Sequence, residues 1–391
     1  MSRKFAGLDG GNNSIIVSTE EAFGDNAIII PTIVAPYEDY SFGKGDKKEL
    51  VDSFDVSVVL NCDRTNDKKD LGRYFVGRKA PDIKQKVQLR NGAKKKLGDK
   101  ELMINMLTTL AYAGVKNDKK LEGSKTVEYN IVTGLPFRQY IEDRDAFAEQ
   151  LIGNHMVKFN GDYEMKVELK INDCLVDCEG YRSLNDMLLD ENDVYKWKPE
   201  ERVGKYVMIL DIGEFTTEMM VGKFYETDKG EAEFKYVGNL CNGWDIGVNI
   251  AKQRLIDKLN KPPFKTDKNR YDIDVAMKSK IRRGKINLSD GTEYDIQNDY
   301  KEFLEDLAKE LSDAVVNPLV ADGLRGNILT IGLVGGGAVV ADNALGNKLK
   351  DYLSTDLAVS MDNMVIPTNS TTSNADSYLK LCGYTWMDNE E

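Results

Sequence analysis

The chain has 391 residues, with 53 Lys plus Arg, 65 Asp plus Glu, a single histidine and a formal net charge of -12. One histidine excludes a multi-histidine metal site, and the acidic balance argues against a sequence-independent grip on nucleic acid, which needs surplus cationic side chains to neutralise phosphate. The length, with 41% hydrophobic and 30% charged residues, predicts a soluble globular chain of two domains.

Met1-Ser2-Arg3-Lys4 runs directly into an apolar strand, with neither a signal-peptide core nor an amphipathic anchor helix, so a cytoplasmic protein without membrane attachment is expected. Lys4-Phe5-Ala6-Gly7-Leu8 reads as a short strand ending in Asp9-Gly10-Gly11-Asn12-Asn13-Ser14, and Ile15-Ile16-Val17 reads as its return. Charged stretches at 61–70, 91–100 and 116–125 read as solvated loops, and Lys94-Lys95-Lys96 is the one place in them where a small acidic partner could dock. Apolar residues at helical spacing, closed by a glycine, predict a helix over 100–114, and similar patterns cover 143–153, 244–260 and 299–317. Tyr129-Asn130-Ile131-Val132-Thr133-Gly134-Leu135-Pro136 reads as a buried strand ending in glycine.

His155 has no nucleophile nearby in sequence and reads as structural. The five cysteines are odd in number and scattered, which suggests free thiols; Cys174 and Cys178 lack the second pair that a zinc site needs. Tyr206-Val207-Met208-Ile209-Leu210 leads into Asp211-Ile212-Gly213-Glu214-Phe215-Thr216-Thr217 and a returning strand at Met219-Met220-Val221. The apolar run at 328–341 is too short to span a bilayer and carries Gly332, Gly335, Gly336 and Gly337.

Two segments therefore share the order strand, Asp-x-Gly, polar turn, strand. Asp9 and Asp211 are 202 positions apart, and the same offset carries Gly134 onto Gly336. Glycine at a strand end permits a sharp turn and lets backbone N–H groups approach a ligand without a Cβ in the way. Successive N–H groups in such a turn cradle an anion, and a neighbouring aspartate suits the magnesium that accompanies phosphate. The repeat thus predicts a nucleotide cleft between two similar α/β domains.

These segments resemble the signature segments of the actin-like ATPases, and are most similar to the bacterial plasmid-segregating actins of the ParM type. Leu8-Asp9-Gly10-Gly11-Asn12-Asn13-Ser14 is similar to the first phosphate loop and Ile131-Val132-Thr133-Gly134-Leu135-Pro136 to the first connecting segment. Residues 211–217 resemble the second phosphate loop, Leu333-Val334-Gly335-Gly336-Gly337-Ala338 the adenosine segment, and Asn374-Ala375-Asp376-Ser377-Tyr378-Leu379-Lys380 the second connecting helix. Glu214 and Phe215 stand where the second loop usually has glycine, and Ser377 where the connecting helix commonly does. The resemblance implies an α/β, actin-like (ribonuclease H-like) ATPase fold of two related domains around an interdomain nucleotide cleft. Domain I would cover 1–204 with a return at 374–391, and domain II 205–373 with a smaller subdomain at about 261–325.

For the site, the resemblance implies Asp9 and Asp211 on magnesium and its waters, with Asp211 also orienting the attacking water. Gly11, Asn12, Asn13, Gly213 and Thr216 would hold the phosphates of ATP or ADP, and Gly335, Gly336 and Gly337 would lie against ribose and adenine. Glu179 is the candidate for activating water, although it reads equally as a helix-cap or surface acid, and Asp177 is second. Gly243 and Asp245 precede a helix and resemble the loop that leans on the nucleotide. Arg282, in a basic group with Lys278, Lys280 and Arg283, is placed where relatives contact adenosine, although such a group also reads as a solvated helix face.

The implied activity is ATP hydrolysis in a head-to-tail filament that segregates plasmid DNA through a separate DNA-binding adaptor, with no direct nucleic-acid contact. The alternative is a small-molecule kinase of the same fold. Gly335-Gly336-Gly337 does not meet the Gly-x-Gly-x-x-Gly spacing of a dinucleotide-binding turn, which sets a nicotinamide-dependent enzyme aside.

Overall fold

A computed structural model of the chain describes residues 4–37, 53–62, 67–78, 88–89, 94–118, 122–160, 165–189 and 194–387. The three charged stretches read as loops each lie partly outside these residues. Contacts divide the chain into two units, Met1–Arg182 with Thr372–Glu391, and Ser183–Thr371.

In the first unit the strands are β1 (Lys4–Gly10), β2 (Ser14–Ser18), β3 (Ile28–Pro31), β4 (Ile33–Pro36), β5 (Ser53–Cys62), β6 (Asp67–Gly77) and β7 (Gln88–Leu89). They are followed by α1 (Lys100–Val115), β8 (Gly123–Leu135), α2 (Phe137–Leu151), β9 (Gly153–Phe159) and β10 (Met165–Cys178), while α3 (Tyr181–Leu188) starts at the end of this unit and continues from Ser183 in the second. All ten strands join one sheet in the order β3-β2-β1-β8-β10-β9-β5-β6-β4-β7. Its centre, β1 with β8 and β8 with β10, is parallel, and β1–β2 is the expected antiparallel hairpin. α1 is apolar on nearly every face and buried accordingly, and the Asp99 side chain caps it by accepting from the Leu102 N–H at 3.1 Å.

α2 begins at Phe137, ahead of the expected 143, because Pro136 occupies the N-cap and the first turn is only partly buried, so apolar spacing starts late. His155 is buried in β9. Its Nδ1 accepts from the Asn61 N–H at 3.1 Å and its Nε2 lies 2.7 Å from the Leu151 carbonyl, a structural role.

The second unit contains β11 (Tyr206–Ile212), β12 (Thr217–Glu226), β13 (Ala232–Tyr236), β14 (Asn242–Trp244), α4 (Asn249–Leu259) and α5 (Arg270–Lys278). Then come β15 (Lys285–Asn287), β16 (Glu293–Asp295), α6 (Gln297–Ala321), β17 (Ile328–Val334), α7 (Val340–Leu357) and β18 (Met364–Val365). Its main sheet runs β13-β12-β11-β17-β18, with β14 also on β12, and β15–β16 is a separate hairpin. The helix expected over 244–260 begins only at Asn249, since Asn242–Trp244 is taken up by the sheet. Ile273, Ile286 and Ile296, from the expected subdomain at 261–325, join the same core as Leu210 and Leu333. Residues 183–189 and 194–204, expected in the first domain, make their contacts in the second unit, where Leu189 bridges Tyr195 and the Tyr236 hydroxyl donates to Asn185 at 2.9 Å.

The repeat is real in the hairpins: Lys4–Gly10 and Tyr206–Ile212 match end for end at an offset of 202. It shifts at the partner strands. Leu8 pairs with Thr133 while Leu210 pairs with Leu333, an offset of 200, so the register equivalent of Gly134 is Val334 and Gly336 lies past the strand.

α8 (Ser373–Cys382) returns to the first unit. A Cβ on Gly7 would lie 1.9 Å from the Ala375 carbonyl oxygen, so glycine in β1, not at position 377, permits the close approach of this helix. Ser377 is itself buried. Among the described residues no helix is long and apolar enough to cross a membrane.

Candidate functional site

In the first unit, Asp9 sits near the end of β1 and the turn Gly11-Asn12-Asn13 follows it. Thr32, buried in the bend between β3 and β4, holds this turn twice. Its hydroxyl donates to the Gly11 carbonyl at 2.8 Å and its N–H donates to the Asn13 carbonyl at 3.0 Å. A Cβ on Gly11 would lie 2.6 Å from the Ser14 carbonyl, which explains the glycine. The Asn12 Oδ1 atom, an acceptor, is buried without a hydrogen-bond partner.

The β8–β10 register places Asp177 opposite Gly134, and the Glu179 N–H donates to the Leu135 carbonyl at 3.0 Å. Glu179 Cγ lies so near Gly134 that a Cβ there would meet it at 3.2 Å. The Glu179 carboxylate forms a buried ion pair with Lys96, whose Nζ also lies 3.4 Å from the Gly134 carbonyl. Asp177 is fully engaged: Oδ1 accepts from the Cys178 N–H at 2.8 Å and Oδ2 from Arg182 Nε at 2.7 Å.

Lys96 therefore corrects the reading of 91–100 as a solvated loop. It is 2% exposed and Asp99 is 1% exposed, while Lys94 is paired with Asp99 and Glu101, and Lys95 with Glu142 and Asp143. Gln139 Oε1 accepts from the Lys96 N–H at 2.9 Å and Gln150 Oε1 from the Gly98 N–H at 3.0 Å, so two glutamines of α2 draw the segment inward. All three lysines are ion-paired within the chain; Lys96 is buried, whereas Lys94 and Lys95 keep about half of their side-chain surface exposed.

In the second unit Asp211 is buried near the end of β11. The turn closes when the Gly213 N–H donates to the Thr216 carbonyl at 2.9 Å. Gly335 has φ of +84°, and a Cβ there would lie 2.4 Å from Asp211 Oδ1. Both facts require glycine. The Gly337 N–H donates to the Ile212 carbonyl at 2.8 Å, so the segment expected against adenosine rests on the end of the strand that bears Asp211. Around Gly336 the space is open, with no atom within 4 Å of a Cβ.

Glu214 and Phe215 take up contacts that glycine could not make. The Glu214 carboxylate accepts from Lys252 Nζ at 2.7 Å, and the same ammonium pairs with Asp274 at 2.7 Å. Lys252 is 1% exposed. Burial by itself lowers its pKa, but the two carboxylates outweigh burial and hold it above the ordinary lysine value. The Arg270 guanidinium lies 4.6 Å from the centre of the Phe215 ring.

Three more of the expected residues lie in the second unit, with Gly243 in register with Glu218, the residue that pairs with Asp211. Gly243 lies in β14, where a Cβ would meet Glu218 Oε2 at 2.2 Å, which accounts for the glycine by packing. Asp245 is exposed ahead of α4. Arg282 is half-exposed and ion-paired with Glu293 of the β15–β16 hairpin, and Arg283 pairs with Asp342. Among the described residues no three His, Cys, Asp or Glu side chains gather as a metal site. Asp9 and Asp211 each place a carboxylate, a hard oxygen donor, near a strand end, and each by itself is the ligand type that magnesium takes.

Two family models match the chain: the N-terminal domain of actin-like proteins over residues 7–181, and the C-terminal domain of the archaeal MreB-like actin homologue over residues 209–350. The chain belongs to the actin-like proteins. Solved structures agree on the fold. A 15-stranded ParM filament from Clostridium botulinum is 20% identical with a TM-score of 0.68, covering 97% of this chain and 99% of that one. Bacillus thuringiensis ParM with ATP is 18% identical with a TM-score of 0.62 over 100% of both chains. A non-polymerisable quadruple mutant of pCBH ParM is 19% identical with a TM-score of 0.66, covering 98% of this chain and 100% of that one. No curated protein matches by sequence.

Proposed function

We propose that this actin-like protein binds ATP with magnesium, assembles head to tail into filaments and hydrolyses ATP in the polymer. The observation that carries the reading is the paired hairpin design, in which an aspartate stands next to the end of the first strand and a short turn follows; Gly335 packs on Asp211 in the second of the two hairpins. The ParM filament likeness supports the polymer over a small-molecule kinase. Head-to-tail contacts are heterologous and open, so they extend into a filament instead of closing a ring.

Gly11, Asn12, Asn13, Gly213 and Thr216 hold the phosphates through backbone and side-chain donors, and Gly335, Gly336 and Gly337 accommodate the nucleoside. Asp9 and Asp211 hold magnesium through its waters; when bound, the ion neutralises charge that develops on the phosphates. Glu179, ion-paired with Lys96, accepts a proton from the attacking water, and Asp211 orients that water. Asp177 is less suited, since Cys178 and Arg182 occupy both of its oxygens. Hydrolysis then changes the state of the subunit and weakens its lattice contacts. Any link to plasmid DNA passes through a DNA-binding adaptor, in keeping with the net charge of -12.

Sedimentation tests this. With Mg-ATP the protein is expected in the pellet as filaments visible by electron microscopy, and with ADP in the supernatant. A chain that stays monomeric at high concentration with ATP and with a non-hydrolysable analogue sinks the filament reading.

A further inference from the structure

The second turn departs from the small residues expected of a phosphate loop, and the residues that replace them are tied down from behind. Glu214 sends its carboxylate inward to Lys252, in the first turn of α4, and Lys252 also holds Asp274 of α5. The backbone is gripped at the same place. The Val248 N–H donates to the Gly213 carbonyl at 3.1 Å and the Asn249 N–H to the Glu214 carbonyl at 2.7 Å. A Cβ on Gly247 would lie 2.6 Å from the Glu214 carbonyl, so α4 begins in direct contact with the turn. Behind it, Arg270 covers the Phe215 ring.

Donors at the start of α4 thus point at the carbonyls of the turn, and its ammonium at the one carboxylate the turn contributes. Once its carbonyls and its single acid are held on the α4 side, the conformation of Gly213 through Thr216 is no longer free. A flexible turn would have to be ordered when a ligand arrives, at an entropic cost that a braced turn avoids.

We propose that Lys252 is a positioning residue for phosphate recognition: through Glu214 and Asp274 it fixes the turn 213–216 in the conformation that meets the nucleotide's phosphates. This rests on the nucleotide reading above. The brace stands in for the glycines, supplying by ion pairing the definition of backbone shape that a tighter, smaller loop supplies by sterics.

The consequence is specific to phosphate. Loosening the turn should weaken Mg-ATP and leave adenosine, which has no phosphates to place, unaffected. The experiment is calorimetric titration of the full chain with Mg-ATP and, separately, with adenosine. It compares wild type, Lys252→Met, the charge-free combination Glu214→Gln with Lys252→Met and Asp274→Asn, and Gly247→Ala, which disturbs the turn without touching a charge. Lys252→Met leaves two carboxylates without their cation, so the charge-free combination carries the test if that single variant does not fold. In the folded variants Kd for Mg-ATP is expected to rise by about tenfold with Kd for adenosine unchanged, the scale of effect that a misplaced binding group produces. Equal ATP-to-adenosine affinity ratios in the charge-free combination and the wild type overturn the proposal and leave the network a packing feature only. A wild-type chain that binds neither ligand is a different result, since it overturns the nucleotide reading itself.

Discussion

The two hairpins have the same plan and are held by opposite means. In the first, Thr32 steadies the turn with two neutral hydrogen bonds, and the turn itself is built of Gly11, Asn12 and Asn13. In the second, a buried cation flanked by two carboxylates and the start of α4 does the holding, and the turn contains a glutamate and a phenylalanine. A strand end, an aspartate and a turn make up the shared part; what lies behind the turn is free to differ as long as the backbone is defined. Neutral hydrogen bonds contribute about 1 kcal/mol each and tolerate loss, whereas a buried charge cannot lose its partner without a much larger penalty.

That contrast can be broken by mutation. Lys252→Met is expected to destabilise the fold most, by about 3–5 kcal/mol in chemical denaturation, because the buried Glu214 carboxylate and the partly buried Asp274 carboxylate lose their cation; a loss under about 1 kcal/mol would show the charges are not what holds the second turn. Next comes Gly335→Ala, at about 2–4 kcal/mol with nucleotide binding lost, from a left-handed backbone and the clash with Asp211. Its control, Gly336→Ala, faces open space and should change stability by less than about 0.5 kcal/mol; similar effects at both positions would refute the packing argument.

Asp211→Ala should fold and hydrolyse ATP at least about tenfold more slowly, about 1.4 kcal/mol in the barrier, and an unchanged rate removes Asp211 from the mechanism. Apart from the Gly336 control, the smallest effect belongs to the first turn. Thr32→Val keeps the N–H bond to Asn13 but removes the donor to Gly11, for an expected loss of about 1 kcal/mol by thermal or chemical denaturation. A Thr32→Val loss as large as that of Lys252→Met would erase the distinction between the two hairpins.

Much of the candidate site was legible from residue order. The strands bearing Asp9 and Asp211 were readable because alternation between apolar strand and glycine-rich turn is a local pattern, and the hairpins fell where that pattern placed them. Gly336 was aligned with Gly134 by counting, and the strand register moved the match to Val334, because register depends on the partner strand and not on spacing along one chain. Lys96 gave no local signal at all: in sequence it is one of three consecutive lysines, and only the packing of the segment against α2 and Glu179 separates it from its neighbours. Glu214 and Phe215 were visible only as departures from glycine, with no hint of Lys252 about forty residues later.

The sequence by itself determined the two strand–turn–strand units, the absence of histidine chemistry beyond a single buried ring, and the positions of the aspartates and glycines at strand ends. These are set by backbone preference and short-range hydrophobic pattern, which act over a few residues. Tertiary structure alone decided which charges went inside. A lysine is buried only when the fold brings a carboxylate to it, and the partners of Lys96 and Lys252 come from strands, turns and helices remote in the chain.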